Sequence, residues 1–208
     1  MGRKSPPPPT IIKYSQNFDS LQVNTGIGKQ LPEWLVWPGT DGDSPVTSVV
    51  SASSPHSLQC DALTGHDVVL VLDKLLVGVN FELTMDMYFY GGDYDGFYMN
   101  IQGNQVPGLL WSVEVYYRLG EILVINSDGS FEAVYNINPN EWFQLKVMVV
   151  ESTGYGDVSI YINDVLMQSK TGNSSIPMAG PVGGINFYPN PADKTFLPMH
   201  YFVDNIQY

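Results

Sequence analysis

The residues from Phe81 to Phe89 alternate strictly between two kinds of side chain. Every second residue is apolar: Phe81, Leu83, Met85, Met87 and Phe89. The residues between them are mostly polar. In a β-strand successive side chains point to opposite faces, so this segment presents one apolar and one mostly polar face. A strand of this kind packs one face on a core, which predicts a sheet protein.

Other segments predict further strands and the turns that join them. Residues 143–149 and 158–162 also alternate, and the apolar run that follows Asp67 is typical of a strand covered on both faces. Ser-Asp-Gly at 127–129 and Asn-Asp at 163–164 are hairpin signals. About twelve strands at roughly 8–12-residue spacing indicate an antiparallel sandwich or barrel. The long stretches 19–45 and 172–199 are expected to be irregular, because they are rich in Gly, Pro, Asn and Asp.

Composition excludes several other classes of protein. Only 14% of the residues are charged while 44% are apolar and 12% aromatic, which argues against disorder and against a coiled coil. The net charge of −12 argues against nucleic-acid binding and against a polybasic membrane-surface site, since both use Lys and Arg. The sequence contains no apolar run of about 18 residues, so a membrane-spanning helix is not expected.

The first residues differ from the rest in charge and composition. Residues 1–16 carry +3, and since the whole chain carries −12, the remainder carries −15. We therefore predict an extended Pro-rich basic arm at residues 1–13 and a single β-sandwich domain at residues 14–208. The arm is expected to dock on a protein partner, within a large assembly or alone, through Arg3, Lys4, Pro6, Pro7, Pro8 and Pro9.

The N-terminus and the cysteine content bear on localisation. Four prolines follow Met1-Gly-Arg-Lys-Ser where a secretory signal would be apolar, so the chain is expected to be made in the cytosol or to have lost its signal. Cys60 is the only cysteine and is expected to be a small buried thiol.

Five segments together resemble those of one fold family. They are YSQNFDS at 14–20, LPEWLVW at 31–37, EWFQLKV at 141–147, DVSIYINDV at 157–165 and YFVDNI at 201–206. Their order is similar to that of concanavalin A-like lectin/glucanase (laminin G-like) jelly-roll domains, of the kind found in Bacteroides-lineage secreted proteins and their phages. The resemblance implies an all-β, two-sheet antiparallel jelly-roll sandwich whose first and last strands lie close together. It also implies glycan binding, although this fold hosts many functions.

Catalysis is not expected. Hydrolases of this fold place paired carboxylates on one strand face, and neither Glu82 with Asp86 nor Glu114 with Glu121 has that spacing. The three histidines lie in no nucleophile-elbow or zinc-ligand pattern. We therefore predict a chain with no catalytic residues.

The aromatic residues suggest a binding surface. Flat aromatic faces stack on the C–H faces of a sugar, and carboxylates and amides bind its hydroxyl groups. The alternative is that the tyrosines fill half-buried sheet faces, where Tyr is common. Trp34, Trp37 and Trp142 are assigned to the core. The candidate glycan-binding residues are Tyr90, Asp93, Asp95, Tyr98, Asn100, Trp111, Glu114 and Tyr116.

Two carboxylates suggest a structural calcium ion as a possible cofactor. Asp93 and Asp95 place two carboxylates two residues apart in a Gly-containing segment, and loop carboxylates can coordinate Ca²⁺. The alternative interpretation, that Asp and Gly simply make a turn, is favoured by how common that pairing is in turns.

These features lead to one main functional hypothesis and two alternatives. The main hypothesis is a non-catalytic lectin-like module that binds a glycan or cell-surface polysaccharide and is displayed on a virion or an extracellular surface, as a phage head or tail decoration docked by its arm. One alternative is a secreted carbohydrate-binding module of a larger glycan-degrading system. The other, less favoured, is a glycoside hydrolase of the same fold.

Overall fold

The computed structural model describes residues 14–40, 42–62, 64–77, 80–90, 97–118, 120–125, 130–150, 157–170, 181–189 and 200–208. These residues form fifteen strands and one short 3-10 helix, Ile27–Lys29. The strands are β1 (Ser15–Gln16), β2 (Trp34–Val36), β3 (Val46–Thr47), β4 (Ser57–Asp61), β5 (Val68–Leu76), β6 (Phe81–Tyr90), β7 (Phe97–Gln102), β8 (Trp111–Arg118), β9 (Glu121–Ile125), β10 (Phe131–Asn136), β11 (Trp142–Val150), β12 (Asp157–Ile162), β13 (Val165–Lys170), β14 (Val182–Tyr188) and β15 (His200–Gln207). Within the described residues, no helix has the length and apolar character needed to cross a membrane.

The strands form two antiparallel sheets that pack face to face. The first sheet has eight strands in the order β13-β12-β11-β6-β15-β4-β3, with β1 also paired to β15. The second sheet has seven strands in the order β10-β9-β8-β7-β14-β5-β2. The predicted two-sheet sandwich is confirmed, whereas residues 1–13, the predicted arm, lie outside the described residues.

Side chains from both sheets meet in one aromatic cluster within the core. Phe89 of the first sheet stacks on Tyr117 of the second, with ring centroids 4.0 Å apart and an angle of 11° between the rings. The ring of Phe89 also lies 5.7 Å from those of Phe97 and Phe143. The alternation predicted for residues 81–89 is confirmed, since all five apolar members of that strand are buried. This cluster therefore joins the two layers.

The two ends of the described chain lie together, as the resemblance implies. The backbone N–H of Tyr14 donates to the carbonyl of Tyr208 over 3.0 Å, and their rings stack with centroids 5.0 Å apart. The hydroxyl of Tyr14 accepts a hydrogen bond from Nε1 of Trp34, over 3.0 Å. Trp34 is buried as predicted, so the first described residue is tied to both sheets.

Local turn chemistry explains one hairpin, and one stretch differs from its prediction. Asn163 and Asp164 both have positive φ, 49° and 63°, as a two-residue turn between β12 and β13 requires. The prediction that residues 172–199 are irregular is wrong for Val182–Tyr188, which form β14, a buried strand inside the second sheet; residues 172–180 and 190–199 lie outside the described residues. The pair Gly183-Gly184 disguises this strand, since glycine is uncommon inside strands unless another backbone approaches closely.

We expect Phe89→Ala to lower the free energy of unfolding by about 3–5 kcal/mol, since it removes an aromatic ring from the packed core. Val165→Ala, at a position 58% exposed on β13, is the control and should change stability by less than about 0.5 kcal/mol. Urea unfolding of both variants measures the difference. Equal losses in the two would contradict the role assigned to the aromatic cluster.

Candidate functional site

One groove on the outer face of the second sheet collects aromatic, amide and carboxyl side chains. It has a volume of about 350 Å³, within the range of small-ligand sites. Its lining, called the groove below, consists of Trp37, Asp67, Tyr98, Asn100, Trp111, Glu114, Tyr116, Asn186 and Tyr188.

The strand register places most of these residues in two parallel rows. Tyr188 of β14 pairs with Tyr98 of β7, which pairs with Tyr116 of β8. Two residues along each strand, on the same face, Asn186 pairs with Asn100, which pairs with Glu114. The residues between the rows point the other way, into the core. The groove therefore runs across three central strands, with an aromatic row beside a polar row.

A chain of side-chain hydrogen bonds forms the floor of the groove. Nδ2 of Asn100 donates to Oδ1 of Asn186 over 2.9 Å. Nδ2 of Asn186 in turn donates to Oδ1 of Asp67 over 2.7 Å and to the carbonyl of Val68 over 3.2 Å. Both asparagines are almost fully buried, so these bonds replace the water that the amides would otherwise need. No described residue donates to Oδ1 of Asn100, which leaves this buried acceptor unused.

Burial of Asp67 changes the acidity of its carboxyl group. Desolvation raises its pKa to about 6, and the hydrogen bond from Asn186 offsets part of this rise. The chain thus keeps a carboxyl where burial disfavours its charged form. Such groups are concentrated at functional sites.

Two tyrosines converge on Glu114 at the far end of the polar row. The hydroxyl of Tyr98 donates to Oε1 of Glu114 over 2.6 Å, and the rings of Tyr98 and Tyr116 lie 4.7 Å apart. Burial raises the pKa of both phenols, that of Tyr116 to about 12, and the negative charge of Glu114 adds to the rise. Both phenols therefore keep their protons at neutral pH and act as hydrogen-bond donors.

The segment of residues 103–110, between β7 and β8, packs against Trp37, one of the residues that line the groove. Gly103 N–H donates to the carbonyl of Leu110 over 2.9 Å, and Nε2 of Gln105 donates to the carbonyl of Leu72 over 2.7 Å. A Cβ on Gly108 would lie 3.2 Å from the ring of Trp37, so glycine lets this segment approach the indole closely. These contacts hold the segment against the second sheet.

The structure brings five of the eight predicted glycan-binding residues into the groove. These five are Tyr98, Asn100, Trp111, Glu114 and Tyr116. Tyr90 does not line the groove: it lies at the end of β6 in the first sheet, with its ring 6.3 Å from that of His200. Asp93 and Asp95 lie outside the described residues, so their roles in glycan or calcium binding stay predictions. In the part of the chain that the structure describes, no three His, Cys, Asp or Glu residues cluster as metal ligands.

Four groove residues were not predicted from the sequence. Asn186 and Tyr188 belong to β14, the strand that the glycines disguise. Asp67 directly precedes β5, and only its position beside an apolar run could have marked it. The assignment of Trp37 to the core is wrong: it follows β2 at the edge of the sheet, where its backbone N–H donates to the carbonyl of Asp67 over 2.8 Å.

The other reactive side chains serve the fold. Nδ1 of His66 accepts the backbone N–H of Asp61 over 3.0 Å, and Nδ1 of His200 lies 3.2 Å from Oδ2 of the same aspartate. Cys60 is fully buried, as predicted, and burial raises the pKa of its thiol to about 12. A thiol with this pKa is a poor nucleophile at neutral pH.

Comparison with known proteins identifies the fold. No protein-family model matches the chain, and no curated protein is significantly similar to it in sequence. The endo-β-1,4-glucuronan lyase of the fungus Trichoderma reesei has a TM-score of 0.64 at 7% identity, covering 95% of this chain and 94% of that one. The cellulose-induced protein Cip1 has a TM-score of 0.65 at 10% identity, covering 93% and 95% of the two chains.

A third similar structure is that of botulinum neurotoxin type C, whose cell entry depends upon interaction with two ganglioside molecules. It has a TM-score of 0.53 at 13% identity, covering 80% of this chain and 41% of that one. Identities this low establish the fold alone. The fold is the concanavalin A-like jelly-roll sandwich that the resemblance implied, and its structural neighbours include both lyases and binding domains.

We expect Asp67→Asn to stabilise the protein at pH 8 by on the order of 1–2 kcal/mol, because it removes a charge that burial disfavours. The folded-state pKa is raised above the ordinary value of 3.8, so the native state binds this proton more tightly than the unfolded state does. The advantage of the variant should therefore shrink as pH falls through about 6 and vanish below about 4. Urea unfolding at pH 4, 6 and 8 tests this, and a stability difference that does not depend on pH would contradict it.

Proposed function

We propose that the chain is a glycan-binding module, that the groove is its binding surface, and that it acts without catalysis. The observation that carries the proposal is the composition of the groove, in which five aromatic side chains border a row of amides and a carboxyl group. A sugar ring offers apolar C–H faces and a rim of hydroxyl groups. Aromatic faces stack on the former, and amide and carboxyl oxygens accept hydrogen bonds from the latter.

The positions of the two groove carboxyls argue against glycoside hydrolysis. Asp67 precedes β5 and Glu114 lies on β8, with β14 and β7 between these strands. Three inter-strand steps separate their backbones by about 14 Å. Glycosidases place their two carboxyl groups about 5–9.5 Å apart. The backbones that carry this pair are farther apart than that spacing. The two carboxyl groups are therefore better suited to contacting two ends of a ligand than to cleaving one glycosidic bond.

The chemistry of the tyrosines argues against a lyase mechanism. Removing a proton beside a uronate carboxyl group requires a base and a positive group that stabilises the developing charge. None of the nine lining residues is Lys, Arg or His. Tyr98 and Tyr116 have raised pKa values, which disfavours the phenolate that a tyrosine base would need. These features support binding as the role of the groove.

We expect Trp111→Ala to weaken binding to a glycan ligand by about tenfold or more, since an aromatic stacking platform is worth on the order of 1 kcal/mol or more. The melting temperature should change little, because this side chain is 51% exposed. Tyr90→Ala is the matched control: that residue is 55% exposed but lies in the other sheet. Parent and variants are compared on a broad glycan array. Absence of any glycan bound by the parent would refute the proposal.

We further propose that the module is displayed on a larger particle such as a phage virion, and that the basic arm attaches it to that particle. The charge difference supports this, since the arm region carries +3 and the remainder −15. The chain enters the described fold through β1, which pairs in the first sheet, whereas the groove lies on the second. Attachment through the arm therefore leaves the groove available to a ligand.

Deletion of residues 1–13 should leave the melting temperature unchanged and abolish assembly with the partner particle. The expected reason is that the sandwich supplies the core while the arm supplies the attachment. Co-sedimentation of parent and truncated chain with the particle measures this. Undiminished incorporation of the truncated chain would contradict the assignment.

A further inference from the structure

The charges in the groove are of one sign. Among the described residues that line it, Asp67 and Glu114 are the only carboxylic acids, and the other seven are aromatic or amide side chains. None of the lining residues carries a positive charge. A ligand that enters the groove therefore meets two carboxyl groups, and the described lining offers no cation to balance them.

The two carboxyl groups lie at opposite ends of the groove. Asp67 belongs to the β5 side and Glu114 to the β8 side, and three inter-strand steps separate their backbones by about 14 Å. A short oligosaccharide that spans the groove must pass close to at least one of them. Coulomb repulsion in a partly desolvated site is stronger than in bulk water, so an acidic sugar ring is penalised wherever it lies.

The hydrogen-bonding groups along the floor favour a donor-rich ligand. Oδ1 of Asn100 is buried and accepts no bond from a described residue. The carboxyl groups of Asp67 and Glu114 are also acceptors. Hydroxyl and ammonium groups can donate to these oxygens, whereas a carboxylate brings only further acceptors.

We propose that the groove selects uncharged and amine-bearing saccharides and rejects saccharides that carry carboxylates. This inference rests on the proposed glycan-binding function and names the ligand class of the same site. It separates this chain from its structural neighbour that is a glucuronan lyase, despite the shared fold. Fold likeness alone does not decide between these ligand classes.

The test compares glycans that differ in charge. A glycan array carries neutral, amine-bearing and carboxylate-bearing classes, including β-1,4-linked oligomers of glucose, glucosamine and glucuronic acid of equal length. We expect the best neutral or amine-bearing ligands to bind about tenfold or more tightly than the best acidic ones. Raising the salt concentration to about 0.5 M should narrow the gap, because salt screens repulsion between charges.

Two variants locate the source of the discrimination. The double variant D67N/E114Q keeps the side-chain shapes but removes both charges, and it should reduce the ratio of neutral to acidic binding several-fold. D73N is the matched control, since it removes one charge from an exposed position of β5 that does not line the groove, and it should keep the parent's ratio. The salt series on the parent supplies an independent readout should the double variant fold poorly.

Each outcome decides the matter. A class preference that disappears in D67N/E114Q and narrows with salt supports the inference. Preferential binding of acidic glycans, or a preference that neither salt nor the double variant changes, overturns the inference while leaving glycan binding intact. Absence of binding to all three classes overturns the proposed function and this inference together.

Discussion

The groove depends on one chain of buried hydrogen bonds, in which the side chain of Asn186 joins Asn100 to Asp67. Asn186 lies on strand β14, which is covered on both faces. Phe187, the next residue of the strand, points into the core, and Asn186 lies under the groove. A buried amide that lost its partners would cost about 1–3 kcal/mol, so this chain of bonds fixes both the strand register and the groove floor. The same contacts thus hold the sheet together and set the polar surface offered to a ligand.

Two opposing tendencies meet at Asp67. Burial raises the pKa of this carboxyl group to about 6, so its charged form is less stable than that of an exposed aspartate. The bond from Asn186 partly compensates, and the sheet tolerates the remainder because the aromatic core binds the two layers firmly. An acid kept in such a place is better explained by a ligand than by stability. The whole chain carries a net charge of −12, so the protein outside the groove also disfavours acidic ligands.

Sequence patterns predicted the architecture well, because alternation reports directly on which face of a strand is buried. The strand at residues 81–89 and the hairpin of β12 and β13 follow from periodicity and turn residues alone. Five groove residues could be named because they lie on two adjacent strands rich in Tyr. Tyr90 shares that composition but belongs to the other sheet, and composition cannot distinguish the two sheets.

The groove residues that the sequence did not predict are brought into place by pairing between strands that are distant in sequence. Asn186 and Asp67 are 119 residues apart in sequence, and only the adjacency of β14 and β5 brings them together. Gly183 and Gly184 hide β14 because they weaken its strand pattern, yet they are needed there. A Cβ on Gly183 would lie 2.3 Å from the backbone of Asn104, in the segment between β7 and β8. The contact that requires glycine is therefore visible only in three dimensions.

The central claim is that the groove is the ligand-binding surface, with the row of buried amides as its floor. Nuclear magnetic resonance of the side-chain amides tests it most directly, in a titration of the protein with the strongest-binding oligosaccharide from the array. The Nδ2 resonances of Asn100 and Asn186 should shift and saturate together. That of Asn205, which donates to Asp86 in the first sheet over 2.7 Å, should remain unchanged. Saturable shifts confined to residues outside the groove would contradict the account.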